Sequence, residues 1–187
     1  MSAAPDLEVL LSEAADLVRT GRHERLADLD AAPLAVYVTD QDGVITYYNH
    51  ACVDFAGRSA SLGEDRWCVT WKLFTDDGHF LPHDQCPMAV AIRERREVRG
   101  LTAIAERPDG ARLGFMPYPT PVLGDDGRLL GAVNILVGTT PLTAAELRAQ
   151  ARRWRRLALS VDPDTADELE ALSGELERKA SRIGSPN

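Results

Sequence analysis

The sequence predicts an α+β fold, an antiparallel sheet with helices gathered on one face. Three observations carry that expectation. Apolar residues step by three and four at both ends of the chain. The middle is rich in β-formers punctuated by tight glycine turns. The order of elements there is strand, strand, short helices, helix, then three more strands.

Taken in order, residues 6–20 place Leu7, Leu10, Leu11, Ala14, Leu17 and Val18 on one helical stripe, and Gly21 follows as a stop. Such a helix is marginal alone in water, so its stripe must cover something. Leu34 to Thr39 reads as a strand. Asp42-Gly43 reads as a hairpin turn, because glycine tolerates positive φ, and Val44 to Tyr48 as the returning strand. Asn49 suits a helix N-cap and Gly57 closes the short helix it opens. Residues 58–84 show little periodicity and are expected to be irregular. Cys86-Pro87 opens a stronger helix striped by Met88, Ala91 and Ile92, with Arg93 to Glu97 solvated.

Three further strands are expected, Val98 to Arg107, Ala111 to Val122 and Leu129 to Thr140. They turn at Pro108-Asp-Gly110 and Gly124-Asp-Asp-Gly127. The tail reads as two helices. Ala144 to Ser160 carries Leu147, Ala151, Trp154, Ala158 and Val161 on one stripe. After Asp162-Pro163 a second helix carries Leu169, Leu172, Leu176, Ala180 and Ile183. The expected organisation is an N-terminal amphipathic helix (1–28), a central domain (29–140) and a two-helix tail (141–187).

Composition narrows the function. With 44% hydrophobic and 27% charged residues in 187, the chain has material for a true core. The formal net charge is −8, and residues 143–187 hold eight acids and eight bases, so the whole imbalance lies in the first 142 residues. An acidic body argues against nucleic acid and against anionic lipid as partners. No apolar run approaches the roughly 20 residues of a membrane span, and the acidic N-terminus is unlike a signal peptide, so a cytoplasmic location is expected. Three cysteines make a poor disulfide framework.

The ordered set of pieces resembles the PAS domain family. The strand, Asp-Gly turn, strand and Asn-capped helix of residues 34–56 look like its start. Pro108-Asp-Gly-Ala-Arg112 resembles the hairpin of its third and fourth strands, and Asp126-Gly-Arg-Leu-Leu-Gly-Ala-Val133 the turn into its last. The resemblance implies a five-stranded antiparallel sheet cupping a small cavity under its helices. It also implies ligand binding, dimerisation through an N-terminal helix and relay through flanking helices. One departure is plain. Where many such domains end in Asp-Ile-Thr, this chain has Gly138-Thr-Thr140 and then Pro141, which disfavours an unbroken exit helix. The expectation is therefore a stand-alone sensory or adaptor protein, a homodimer that acts on a separate signalling partner.

The cofactor is left unassigned by the sequence. Light-sensing PAS relatives carry a reactive cysteine in an Asn-Cys-Arg-Phe context, which Cys52 in Asn49-His-Ala-Cys52 lacks, so it reads as a buried apolar residue. Oxygen-sensing relatives place an axial histidine on the long helix. Here His83 precedes that helix, which leaves a haem or gas-sensing reading as an alternative. Cys68, His79, His83 and Cys86 are low-ranking metal candidates, since two Cys and two His suit tetrahedral zinc, but the Cys68 to His79 spacing matches no standard pattern. A Cys68–Cys86 redox pair is a third reading. Met88, Ile92, Ile104, Phe115, Met116, Tyr118, Asn134 and Trp71 are the candidate ligand-binding residues. Asn134 stands out as an amide inside an apolar strand, where it either meets a ligand or satisfies a backbone group. Trp67 and Trp71 are expected to roof the core. No nucleophile elbow, phosphate loop or His-Glu-x-x-His pattern is present, so no catalysis is expected. Arg152-Arg-Trp-Arg-Arg156 reads as a solvated helix face able to dock an acidic partner. A purely structural interaction module with no ligand is the remaining alternative.

Overall fold

A computed structural model describes residues 7–139, 144, 148, 151–152, 155–156, 158–159 and 162–183. Contacts separate two compact units, Met1–Thr139 and Thr140–Asn187. In the first, α1 (Leu7–Arg19) leads into a 3-10 helix (His23–Ala31). The sheet begins with β1 (Ala35–Asp40) and β2 (Ile45–Tyr48), followed by α2 (His50–Ala56). Next come β3 (Lys72–Thr75), β4 (Phe80–Leu81), a 3-10 turn (His83–Gln85) and α3 (Pro87–Glu94). The remaining strands are β5 (Ala103–Glu106), β6 (Arg112–Pro117), β7 (Thr120–Leu123) and β8 (Leu129–Thr139).

The sheet runs β2-β1-β8-β6-β5-β3-β4, with β7 also on β8, and every pairing is antiparallel. It has eight strands rather than five, for two reasons. The segment 58–84, expected to be irregular, contains the β3–β4 hairpin around Asp76-Asp77-Gly78. The strand expected over 111–122 breaks at Tyr118-Pro119, where proline has no N–H for the ladder, and both halves pair with β8. The expected strand from Val98 starts only at Ala103.

The helices of the central domain, α2 and α3, gather on one face as expected, and the flanking α1 covers the other together with the 3-10 helix. The residues of β1 from Ala35 to Thr39 are all buried, with none of the alternation of a one-sided sheet. On one face Tyr37, Ile45, Leu73, Ala103, Ala105, Phe115, Ala132 and Leu136 pack with α2 and α3 through Cys52, Ala56, Met88, Ala89 and Ile92. This face is the cup. On the other, the back, Val36, Val38, Val122, Val133 and Ile135 meet Leu10, Leu11, Ala14, Leu17 and Val18 of α1 and Leu26 and Leu29 of the 3-10 helix. The stripe of α1 is therefore spent on the protein's own sheet, and a partner could meet only its outer face, where Val9 is exposed. Each fully buried Leu, Ile or Val contributes about 1.5–3 kcal/mol.

In the second unit, α4 (Pro163–Ile183) is capped by Asp162, whose carboxylate accepts from the Thr165 N–H (3.1 Å) and hydroxyl (2.7 Å). The Ser173 hydroxyl donates to the Ala151 carbonyl (3.0 Å), and Arg155 pairs with Glu177 (2.8 Å). Ala151, Ala158, Ser173 and Ala180 are buried, while Leu172, expected on the stripe, is 43% exposed. Small residues at that seam let backbones approach, and Ser173 satisfies its hydroxyl there. Arg152, Arg155 and Arg156 are exposed. Thr140, Pro141, Leu147, Arg153, Trp154 and Val161 lie outside the described residues, as does the side chain of Ile183. Among the described residues no helix is long and apolar enough to cross a membrane.

Candidate functional site

The cup is closed on one side by the first hairpin and its cap. Gly43 adopts φ +80°, and a Cβ there would come within 2.1 Å of the Trp67 ring, so this glycine serves both the turn and the tryptophan laid on it. Asp40 accepts from the Asp42 and Val44 N–H groups (both 2.9 Å), fixing the turn. Asn49 does far more than cap α2. Its oxygen accepts from Cys52 N (3.2 Å) and Val36 N (3.0 Å), and its NH2 donates to the Leu34 carbonyl (2.8 Å) and weakly to Leu29 (3.3 Å) and Ala32 (3.4 Å). One buried amide thus joins helix, strand and the 3-10 segment.

Residues 61–67 fold against the outer edge of β2. Ile45 N donates to Asp65 O (2.9 Å), Gly63 N to Ile45 O (3.0 Å) and Trp67 N to Gly43 O (2.8 Å). Trp67 itself has φ +69°, a left-handed conformation that a bulky residue adopts only under compulsion. The compulsion is visible. The Tyr37 hydroxyl donates to the Trp67 carbonyl (2.9 Å) from inside the cup. Register places Asn134 opposite Tyr37, and the Asn134 amide donates to the Tyr37 hydroxyl (2.9 Å) while accepting from Tyr118 N (2.9 Å). A buried strut therefore runs from the roof at Trp67 through two strands to the break between β6 and β7. Burial pushes the Tyr37 hydroxyl well above its ordinary range, so it stays a neutral donor. Asn134 resolves as a residue that satisfies a backbone group and a neighbouring hydroxyl.

The sulfur and histidine candidates divide. Cys68 accepts from the Thr70 hydroxyl (3.2 Å), which lies 3.4 Å from His83 Nε2, and the Cys86 thiol leans on the Trp67 carbonyl (3.9 Å). His79 is elsewhere, 72% exposed in the β3–β4 turn and 3.4 Å from Asp77. Among the described residues no three of His, Cys, Asp or Glu converge as metal ligands. Burial raises the Cys68 thiol and pushes Cys86 up to about 12, so both are protonated and poor nucleophiles. Desolvation and the Arg58 charge lower His83. Cys52 is buried on α2 with its thiol donating to the Val36 carbonyl (3.2 Å).

Of the expected ligand-binding residues, Met88, Ile92, Phe115 and Asn134 are buried on the cup side. Ile104, Met116 and Tyr118 are not. Each alternates with a cup residue along its strand, Ile104 with Ala103 and Ala105, Met116 with Phe115, so they point to the back. Tyr118 packs on the back core and donates to the Met116 sulfur (3.2 Å). Trp71 is 43% exposed with the Lys72 ammonium 4.2 Å over its ring, while Trp67 does pack on the cup. Sequence reasoning missed Tyr37 and the wider role of Asn49. The one signal was a tyrosine flanked by apolar residues in a strand.

No family model matches the chain, and no curated protein does. Solved structures do. The PAS domain of the fruit-fly ELK potassium channel matches with TM-score 0.50 and 14% identity, over 63% of this chain and 95% of that one. The Rhodobacter sphaeroides LOV protein matches with TM-score 0.48 and 16% identity, over 88% and 99%. A LOV domain from an Erythrobacter litoralis blue-light activated histidine kinase has TM-score 0.42 and 22% identity, over 57% and 96%. The sheet order and the cup define an α+β sheet domain clamped between helices. That domain has the PAS fold.

Proposed function

We propose that the protein is a non-catalytic PAS sensory or adaptor module, which binds a small molecule in the cup and relays its presence through the helix on the opposite face. The observation that carries this reading is the strut. Trp67 roofs the cup, and Tyr37 and Asn134 tie it to Tyr118 at the head of β7. α1 packs on β7 and β8 from behind. An occupant that shifts the roof would act on the seat of α1, provided it binds two arrangements with different affinity. Relay would then reach a second copy or a separate signalling protein in the cytoplasm.

Deuterium exchange tests the relay. Tyr37→Phe removes the middle of the strut without removing volume. The amides of 7–19 are expected to lose protection along with those of 61–67. Loss confined to the roof would end the relay reading. Absorbance and native mass spectrometry of the purified protein test for a bound molecule.

A further inference from the structure

The cup carries one polar atom that the strut does not use. Thr39 is 1% exposed, and its hydroxyl is the buried side-chain oxygen or nitrogen without a hydrogen-bond partner among the described residues. It lies on the cup face of β1 with Ala35 and Tyr37. Across the sheet it pairs with Ala132 of β8 and Ile45 of β2, both in the cup core. The β1–β2 ladder slips beside it, between Val38 and Thr39, as Thr46 bulges out and keeps Ile45 in the cup. Bulges of this kind re-aim side chains at functional positions.

The other polar groups on these two strands are committed. Tyr37 donates to Trp67 and accepts from Asn134, whose oxygen takes the Tyr118 N–H. Thr39 cannot borrow from them. An orphaned buried hydroxyl costs stability, and a valine of the same shape would not. Its cross-strand neighbours, Ala132 and Ile45, are apolar. The cup face as a whole mixes alanines with larger apolar residues, and among the described residues no charged side chain is buried. An ionised ligand would find no counter-charge there.

We infer that Thr39 is a ligand-binding residue, and that the cup takes a small neutral, largely apolar molecule whose one hydrogen-bonding group meets the Thr39 hydroxyl. This rests on the reading of the cup as a binding site. It predicts an unusual pair of effects for Thr39→Val: the free protein becomes more stable while recognition of a polar ligand weakens.

The test uses the full chain and three matched probes, phenol, toluene and benzoate, titrated by NMR shift into wild type, Thr39→Val and Thr39→Ser. Thr39→Val is expected to lower the phenol-to-toluene affinity ratio about tenfold, one buried hydrogen bond's worth. It leaves toluene binding intact and raises the melting temperature by about 2–4 °C. Thr39→Ser keeps the ratio. Benzoate is excluded. A lower melting temperature for Thr39→Val, an unchanged ratio, or preferential benzoate binding would overturn the assignment while leaving a binding cup. Failure of every probe to bind wild type would overturn the assignment and the cup reading together.

Discussion

Both faces of the sheet are buried along β1, and they are differently made. The buried back is aliphatic, four valines and Ile135 of β1, β7 and β8 under the leucines of α1, with Tyr47 and Tyr118 only at its margin. The cup mixes alanines, three thiols and large side chains around a polar strut. A face made only of volume tolerates no gap, because lost contacts and the residual cavity both cost. A face with buried polar atoms depends instead on every one being met, since each orphan costs on its own. The first kind of face is suited to holding a helix down. The second can be rearranged by something that offers a new partner.

The largest expected effect falls on the back. Ile135→Ala, at a fully buried site under α1, is expected to cost about 2–5 kcal/mol in urea unfolding. A cost below 1 kcal/mol would mean that α1 is not seated on this face. Asn49→Ala comes next, because it strands the Val36 N–H and removes the amide's bond to the Leu34 carbonyl at once, while the Cys52 N–H keeps only the Asn49 backbone carbonyl (3.1 Å). The expected loss is roughly 2–4 kcal/mol, and a loss no greater than an ordinary cap's would break its role as a hub.

Tyr37→Phe is expected to cost about 1–2 kcal/mol, leaving the Trp67 carbonyl only the long Cys86 thiol contact (3.9 Å) and the Asn134 NH2 without its Tyr37 acceptor. Added to Asn134→Leu it should cost less than the sum of the two singles, since both remove one strut. Additive effects would dissolve the strut into separate contacts. The three free thiols, all buried and raised by burial, are expected to label with a disulfide reagent at pH 8 only on unfolding. Fast labelling of Cys68 or Cys86 in the native protein would show that the cup opens readily.

The smallest effect concerns Glu106, at the far side of the sheet. Hydrogen bonds from Arg112 (2.9 Å) and Lys72 (3.3 Å) hold its carboxyl below the usual range. A carboxyl lowered in the fold contributes stability above its ordinary pKa and loses it as pH falls toward the folded value. Glu106→Gln should therefore flatten a shallow acid slope below about pH 4.5, read as the urea midpoint against pH. An unchanged slope would place the acid sensitivity elsewhere.

Much of the frame was legible in advance. The hairpin at Asp42-Gly43, the cap at Asn49, the stop at Gly57 and the start at Cys86-Pro87 all rest on local backbone needs, which local sequence states. The β3–β4 hairpin was not recognised, although Asp77-Gly78 between two β-rich runs is a turn signal, because its strands are only four and two residues long. Three of the eight expected pocket residues, Ile104, Met116 and Tyr118, turn to the back because side chains alternate along a strand. Phe115 and Met116 are adjacent in a strand and cannot line one wall.

By itself the sequence determined the elements and their turns, the neutral and apolar character of the strands, and the resemblance to a PAS domain. Only the tertiary structure decided which face each strand turned to the cup, that α1 is consumed by its own sheet, and that Tyr37, Asn134 and Trp67 form one strut. It also decided that Thr39 is left over. The reason is that satisfaction of a buried polar atom is a property of register. Tyr37 and Asn134 stand 97 residues apart in the chain, and no local pattern records which atom each will meet.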